Sequence, residues 1–216
     1  MPITPQEASK QARELCSLAP IVPVLVVDDV ANAKPLAQAL IKGGLPALEV
    51  TLRTPVALDV IREMSQVEGG VVGVGSLVTP ADVEAAVEAG ATFGVSPGAT
   101  PKLLDAAEAI GLPMLPGVAS ASEAMALLER GYDMLKFFPA EDAGGAPALK
   151  SIGGPLAQIS FCPTGGVNPK NAMSYLSLPN VVCAGGSWVA PKDLVAAGDW
   201  AAIEALASEA SKFNAG

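Results

Sequence analysis

The chain has 216 residues, 50% apolar and 16% charged, which suits one folded domain with a sizeable core and excludes a disordered chain. Its net charge of −9 comes with no basic cluster, which argues against nucleic acid and anionic membrane as partners but leaves room for a small anionic substrate. There is no histidine, so Ser–His–Asp catalysis, histidine bases and ordinary zinc sites are excluded.

The opening stretch MPITPQEASKQAREL has no apolar signal-peptide core. Thr4 to Cys16 predicts an amphipathic helix, with Thr4 as N-cap and Pro5 in its first position. Ile21 to Val27 is a continuous apolar run of strand length, as suits a parallel strand covered on both faces. Asp28 and Asp29 can cap the next helix, Val30 to Ile41, and Lys42-Gly43-Gly44 ends it. Pro35 leaves the start of that helix open.

The same pattern then repeats. Further strands are predicted at 47–52, 71–76, 92–96, 113–118, 134–138, 158–163 and 181–185. Helices are predicted between them at 55–66, 80–88, 101–110, 122–129, 147–152 and 169–176, and a last one from Asp199 to about Phe213. Thr54-Pro55, Thr79-Pro80, Thr100-Pro101 and Asn168-Pro169 read as helix starts. Gly90, Gly111 and Gly131 read as helix ends. Eight strands alternating with helices predict a parallel sheet closed as a (β/α)8 TIM barrel, preceded by the N-terminal helix, in one domain spanning 1–216. The alternative is an open doubly wound sheet, but no GxGxxG fingerprint or P-loop supports it. No run is long enough to span a membrane. Cys16, Cys162 and Cys183 have no metal-ligand spacing, and their odd number argues against a disulfide framework. A reduced, cytoplasmic protein is expected.

Barrel active sites lie at the C-terminal ends of the strands. In ALEVTLR, alternation puts Glu49, Thr51 and Arg53 on one face and Leu48, Val50 and Leu52 on the other. The aliphatic face should pack on helices, which turns Glu49 and Arg53 toward the barrel or its mouth. In MLKFFPA, Lys136 sits within a bulky apolar run. It must reach water or lose its charge, and a free amine is a nucleophile. Alternation places it with Met134 and Phe138, and the sequence leaves open which face points inward. If Lys136 points in, it joins Glu49 and Arg53 as amine nucleophile, proton shuttle and carboxylate-binding cation, an imine-forming set. PTGGV (163–167) and AGGSW (184–188) end the seventh and eighth strands, where barrels commonly bind phosphate. Ser76 ends the third strand, where its hydroxyl can assist a carboxylate or cap a helix.

EVTLRT (49–54), LKFFPAE (135–141), FCPTGG (161–166) and GGSW (185–188) resemble the 2-dehydro-3-deoxy-phosphogluconate (KDPG) and 4-hydroxy-2-oxoglutarate aldolase family, from about Ala19 to Lys212. The resemblance implies a class I lyase of the Entner–Doudoroff pathway. It would release pyruvate and glyceraldehyde 3-phosphate from a phosphorylated 2-oxo acid, without metal or other cofactor. It implies Lys136 as the Schiff-base residue, Glu49 as acid/base and Arg53 as the pyruvate-carboxylate ligand. Thr164 would lie along the distal hydroxyls. Gly165-Gly166 and Gly185-Gly186-Ser187 would hold the phosphate. The family usually has GAGT where this chain has Gly73-Val74-Gly75-Ser76; serine keeps the hydroxyl and drops the methyl. A homotrimer is also implied.

Overall fold

The computed structural model describes residues 1–213; the last three residues of the expected 1–216 domain lie outside them. Eight strand positions run in chain order: β1 Ile21–Leu25, β2 Ala47–Thr51, β3 Val71–Gly75, β4 Gly94–Val95, β5 in two pieces at Met114–Leu115 and Gly117–Val118, β6 Met134–Phe137, β7 Ser160–Pro163 and β8 Ala184–Gly186. Pro116 splits β5 because it has no N–H to give a ladder. Every pairing is parallel. β2 lies between β1 and β3, β4 between β3 and the first half of β5, and β6 between the second half of β5 and β7. The ring closes through β1 with β8 and through the bridges Phe161↔Val181 and Thr164↔Gly185. The expected barrel is therefore present.

Two apolar clusters separate the inside of the ring from its outside. Val22, Ala47, Phe93, Val95, Leu115, Met134 and Cys162 pack together within the barrel. Leu48, Val50, Val74, Leu135, Phe137 and Phe161 belong to the larger layer shared with the helices. The helices are α1 Pro5–Cys16, α2 Ala33–Lys42, α3 Ala57–Met64, α4 Pro80–Glu88, α5 Pro101–Ile110, α6 Ala121–Arg130, α7 Gly145–Gly153, α8 Ala172–Leu176, α9 Lys192–Ala197 and α10 Trp200–Ala210. Among the described residues, no helix is long and apolar enough to cross a membrane.

Thr4, Thr79 and Ser120 open α1, α4 and α6 with capping boxes, and Gly111 and Gly131 end α5 and α6 in the left-handed conformation. Two expected helix starts are corrected. Thr54-Pro55 does not cap α3, because the Thr54 hydroxyl donates to the Val27 carbonyl at 2.8 Å. Asn168-Pro169 lies in a turn before α8, where the Asn168 side chain donates to Gly166 O at 3.0 Å. The segment from Val30 divides into a 3-10 turn, Val30–Asn32, and then α2. Helix α9 had no counterpart in the sequence expectations.

Helix α1 is clamped to the barrel by polar contacts. Ser9 Oγ accepts from the backbone N–H groups of Asp133 and Met134, each at 2.9 Å, and donates to Asp133 Oδ1 at 2.7 Å. Arg13 donates to Ser160 Oγ and to the Asp133 carbonyl. Ser9 is 1% exposed, so Ser9→Ala would leave buried N–H groups without a partner. Urea unfolding should show a loss of about 1–3 kcal/mol; an unchanged midpoint would mean that water replaces the hydroxyl.

Candidate active site

Lys136 is the third residue of β6, two residues after Met134, which packs inside the ring. Period two therefore turns Lys136 inward, while Leu135 and Phe137 face the helices. The orientation that the sequence left open is thus fixed by β6 itself. Its ladder neighbours are Gly117 on β5 and Cys162 on β7. Both are small, and they leave interior space for the long lysine chain.

Glu49 reaches the same place from β2. Ala47 packs inside the ring and Leu48 and Val50 outside, so Glu49 and Thr51 also point in. Lys136 Nζ donates to Glu49 Oε1 at 3.3 Å. The two residues are 5% and 3% exposed. Gly75 on β3 lies directly beside the carboxylate, and a Cβ there would collide with Glu49 Oε1. The Phe138 ring centroid lies 5.3 Å from Lys136 Nζ. Burying an ion pair costs desolvation that its mutual attraction seldom returns in full, so a lone buried pair is poor evidence for stability. Such a pair inside a barrel mouth points to chemistry instead.

A cavity of about 440 Å³ opens at the C-terminal ends of the strands. Its wall includes Arg53, Phe138, Thr164, Gly165, Gly166, Gly185 and Ser187. Arg53 lies just past the end of β2 and is exposed; its Nε donates to Ser76 Oγ at 3.2 Å. Ser76 has φ 64°, a left-handed conformation easier for an unbranched residue than for a β-branched one. It does not cap α4, which is the role of Thr79. Thr164 is buried, with Oγ1 3.8 Å from Cys162 Sγ, and bridges to Gly185.

Gly165 and Gly166 have φ 102° and 76°. Glu141 braces this turn: its N–H donates to Gly165 O at 3.1 Å, and its carboxylate accepts from the Tyr175 hydroxyl. Burial and that carboxylate push the Tyr175 phenol well above its ordinary value, so it stays a donor. Gly186 is placed differently from the other expected loop residues. The Trp188 ring covers it where a Cβ would stand, so its glycine is required by packing. Lys192, the first residue of α9, lines the cavity on the side of the Gly loops. Sequence reasoning missed it. Its position four residues beyond the GGSW motif was the available signal.

Lys136 and Glu49 do not line this cavity themselves; Phe138, whose ring lies over Lys136 Nζ, stands in its wall. A buried amine beside a carboxylate, near a cavity with two cations and glycine turns, is suited to carbonyl chemistry on an anionic substrate. That arrangement, on a closed parallel barrel, is the class that fold and site define. The profile of the KDPG and KHG aldolase family matches residues 12–206, and the chain belongs to that family. It is 50% identical to the 2-dehydro-3-deoxy-phosphogluconate aldolase of Pseudoalteromonas atlantica, over 95% of this chain and 96% of the relative. The 2-keto-3-deoxy-6-phosphogluconate aldolase of Zymomonas mobilis, solved with 3-phosphoglycerate, superposes with a TM-score of 0.92 at 49% identity, covering 95% of this chain and 97% of that one. The KDPG aldolase of Legionella pneumophila, solved with pyruvate captured as a covalent carbinolamine, gives a TM-score of 0.90 at 44% identity, over 93% and 98% of the chains.

Proposed function

We propose that the protein is a class I aldolase that cleaves 2-dehydro-3-deoxy-6-phosphogluconate to pyruvate and glyceraldehyde 3-phosphate. The observation that carries this reading is the buried Lys136–Glu49 contact of 3.3 Å inside the barrel. The Legionella relative captured pyruvate covalently as a carbinolamine, which is the first adduct of an amine with a ketone.

The steps follow from the groups present. The Lys136 ammonium gives up a proton, and Glu49 is the nearest acceptor. The free amine adds to the C2 ketone, and loss of water leaves a protonated imine. Glu49, directly or through water, takes the proton of the C4 hydroxyl. The C3–C4 bond breaks, its electron pair moves into the iminium, and the aldehyde leaves. The resulting enamine is protonated at C3, and water releases pyruvate from the lysine. Arg53, with Ser76 holding its Nε, is assigned to the substrate carboxylate. Thr164 is assigned to the distal hydroxyls. Gly165, Gly166, Gly185, Gly186 and Ser187 are assigned to the phosphate. An aldol cleavage assay with pyruvate detection tests the reaction. Comparison with the galactonate epimer and with 4-hydroxy-2-oxoglutarate tests the substrate. A soluble cytoplasmic homotrimer accompanies this reading, and light scattering at the monomer mass would remove the trimer.

Lys192 is assigned to the phosphate as well. It is 73% exposed and 3.5 Å from Asp28, a weak surface pair that an incoming phosphate can displace. Lys192→Met should raise KM for the phosphorylated substrate roughly three- to tenfold, the range for one partly solvated charge contact. Its kcat, and turnover of 4-hydroxy-2-oxoglutarate, should hardly change. Equal effects on both substrates would take Lys192 out of phosphate binding.

A further inference from the structure

The protein's three cysteines, far apart in sequence, come from three separate elements and meet at one point. Cys16 is the last residue of α1, Cys162 lies in β7, and Cys183 immediately precedes β8. All three are free and buried, at 0%, 1% and 0% exposure. Their Sγ atoms all lie within 4.8 Å of one another. They belong to the cluster inside the ring, where α1 meets the barrel strands. The aldolase reaction uses none of them.

We propose that Cys16, Cys162 and Cys183 form an internal three-thiolate site for one soft divalent ion of the zinc–cadmium class. Three sulfurs around one ion, each at about 2.3 Å, stand roughly 4 Å apart. The observed spacing therefore needs only a small contraction. Sulfur ligands select soft ions over hard ones such as magnesium. Three S–H bonds break, three metal–sulfur bonds form, and the protons leave to solvent; no electrons are transferred. The bound complex carries one negative charge, and Lys136, the ladder partner of Cys162, supplies a nearby positive one. All three sulfurs are buried, so an ion reaches them only through a local opening of the chain.

Occupancy would tie α1 to β7 and β8. It would also place a charged complex next to Cys162, whose Sγ lies 3.8 Å from Thr164 Oγ1 and whose ladder partner is Lys136. A second effect follows, and it rests on the reading of Lys136 and Thr164 above: the ion lowers aldolase turnover from the far side of the site.

The test is titration of the reduced full chain with cadmium chloride. A thiolate-to-cadmium charge-transfer band should grow to one equivalent and vanish on adding a chelator. The cadmium NMR resonance of the wild-type protein should fall in the sulfur-rich range. Cys16→Ala and Cys183→Ala should each abolish the one-equivalent band. Cadmium should inhibit aldol cleavage by the wild type and leave Cys16→Ala, whose residue lies outside the proposed catalytic and binding groups, insensitive. No uptake by the folded protein, or by protein refolded with cadmium, overturns the site. So does a band that persists in both variants, or a resonance in the oxygen and nitrogen range; the wild-type NMR arm decides even if a variant fails to fold. Full uptake without inhibition removes only the coupling to the active site. Inactivity of the metal-free protein would instead count against the aldolase reading.

Discussion

Lys136→Met should lower aldol cleavage by roughly 10⁴-fold or more, as loss of a covalent nucleophile does in other enzymes. Methionine fills similar volume and has no amine. It also leaves Glu49, at 3% exposure, without the ammonium that balances it. An unpaired buried carboxylate is strongly destabilising unless it takes up a proton. The folded state must therefore be checked by circular dichroism, and Lys136→Met combined with Glu49→Gln supplies the charge-matched control. In the wild type, pyruvate with borohydride should inactivate irreversibly, because hydride reduces the imine to a stable amine. Peptide mass mapping should place the adduct on Lys136 and on none of the other lysines. The single variant should trap nothing. Inactivation by chelators with no effect of borohydride would instead indicate a metal–enolate route, and the imine mechanism would be wrong.

The barrel was legible because its period is carried by short apolar runs, Pro-opened helices and Gly stops, which are local signals. Helices α4 and α5 have their expected bounds. Thr54-Pro55 misled for a non-local reason: the Thr54 hydroxyl is taken by Val27 O, 27 residues away in sequence. The orientation of Glu49 was readable because its β2 neighbours alternate polar with aliphatic. That of Lys136 was not, since Met134 and Phe138 on its own face are as apolar as Leu135 and Phe137 on the other. Only the separation of inner from outer clusters decides it. That Gly186 is also needed for packing was not legible, because nothing in AGGSW reveals that Trp188 folds back over it. The cysteines looked unrelated because ligand spacing is a test of local motifs. Three elements converging on the barrel interior leave no such trace.

The same geometry sets the expectation for Glu49→Gln. Glutamine keeps the size of the side chain and can still accept from Lys136 Nζ through its amide oxygen. It cannot take a proton. Positioned acid–base groups are worth roughly 10²–10⁴ in rate, so cleavage should fall by about that factor. The loss should appear mainly in kcat, because Arg53, Ser76 and the glycine turns, the groups assigned to substrate binding, are untouched. Borohydride trapping of pyruvate should fall less, since the Lys136 amine remains. Exchange of the pyruvate methyl protons with deuterated solvent gives a separate reading. It requires only imine formation and proton movement at C3, with no carbon–carbon cleavage. If Glu49 also serves the enamine carbon, exchange and cleavage should decline together. If exchange stays near wild type while cleavage collapses, Glu49 acts on the C4 hydroxyl alone and water protonates C3. Near-normal cleavage would assign the base elsewhere. Among the described residues, Glu49 is the carboxylate that forms an ion pair with Lys136, so that result would require a base outside this pair, such as bound water or the substrate's own phosphate.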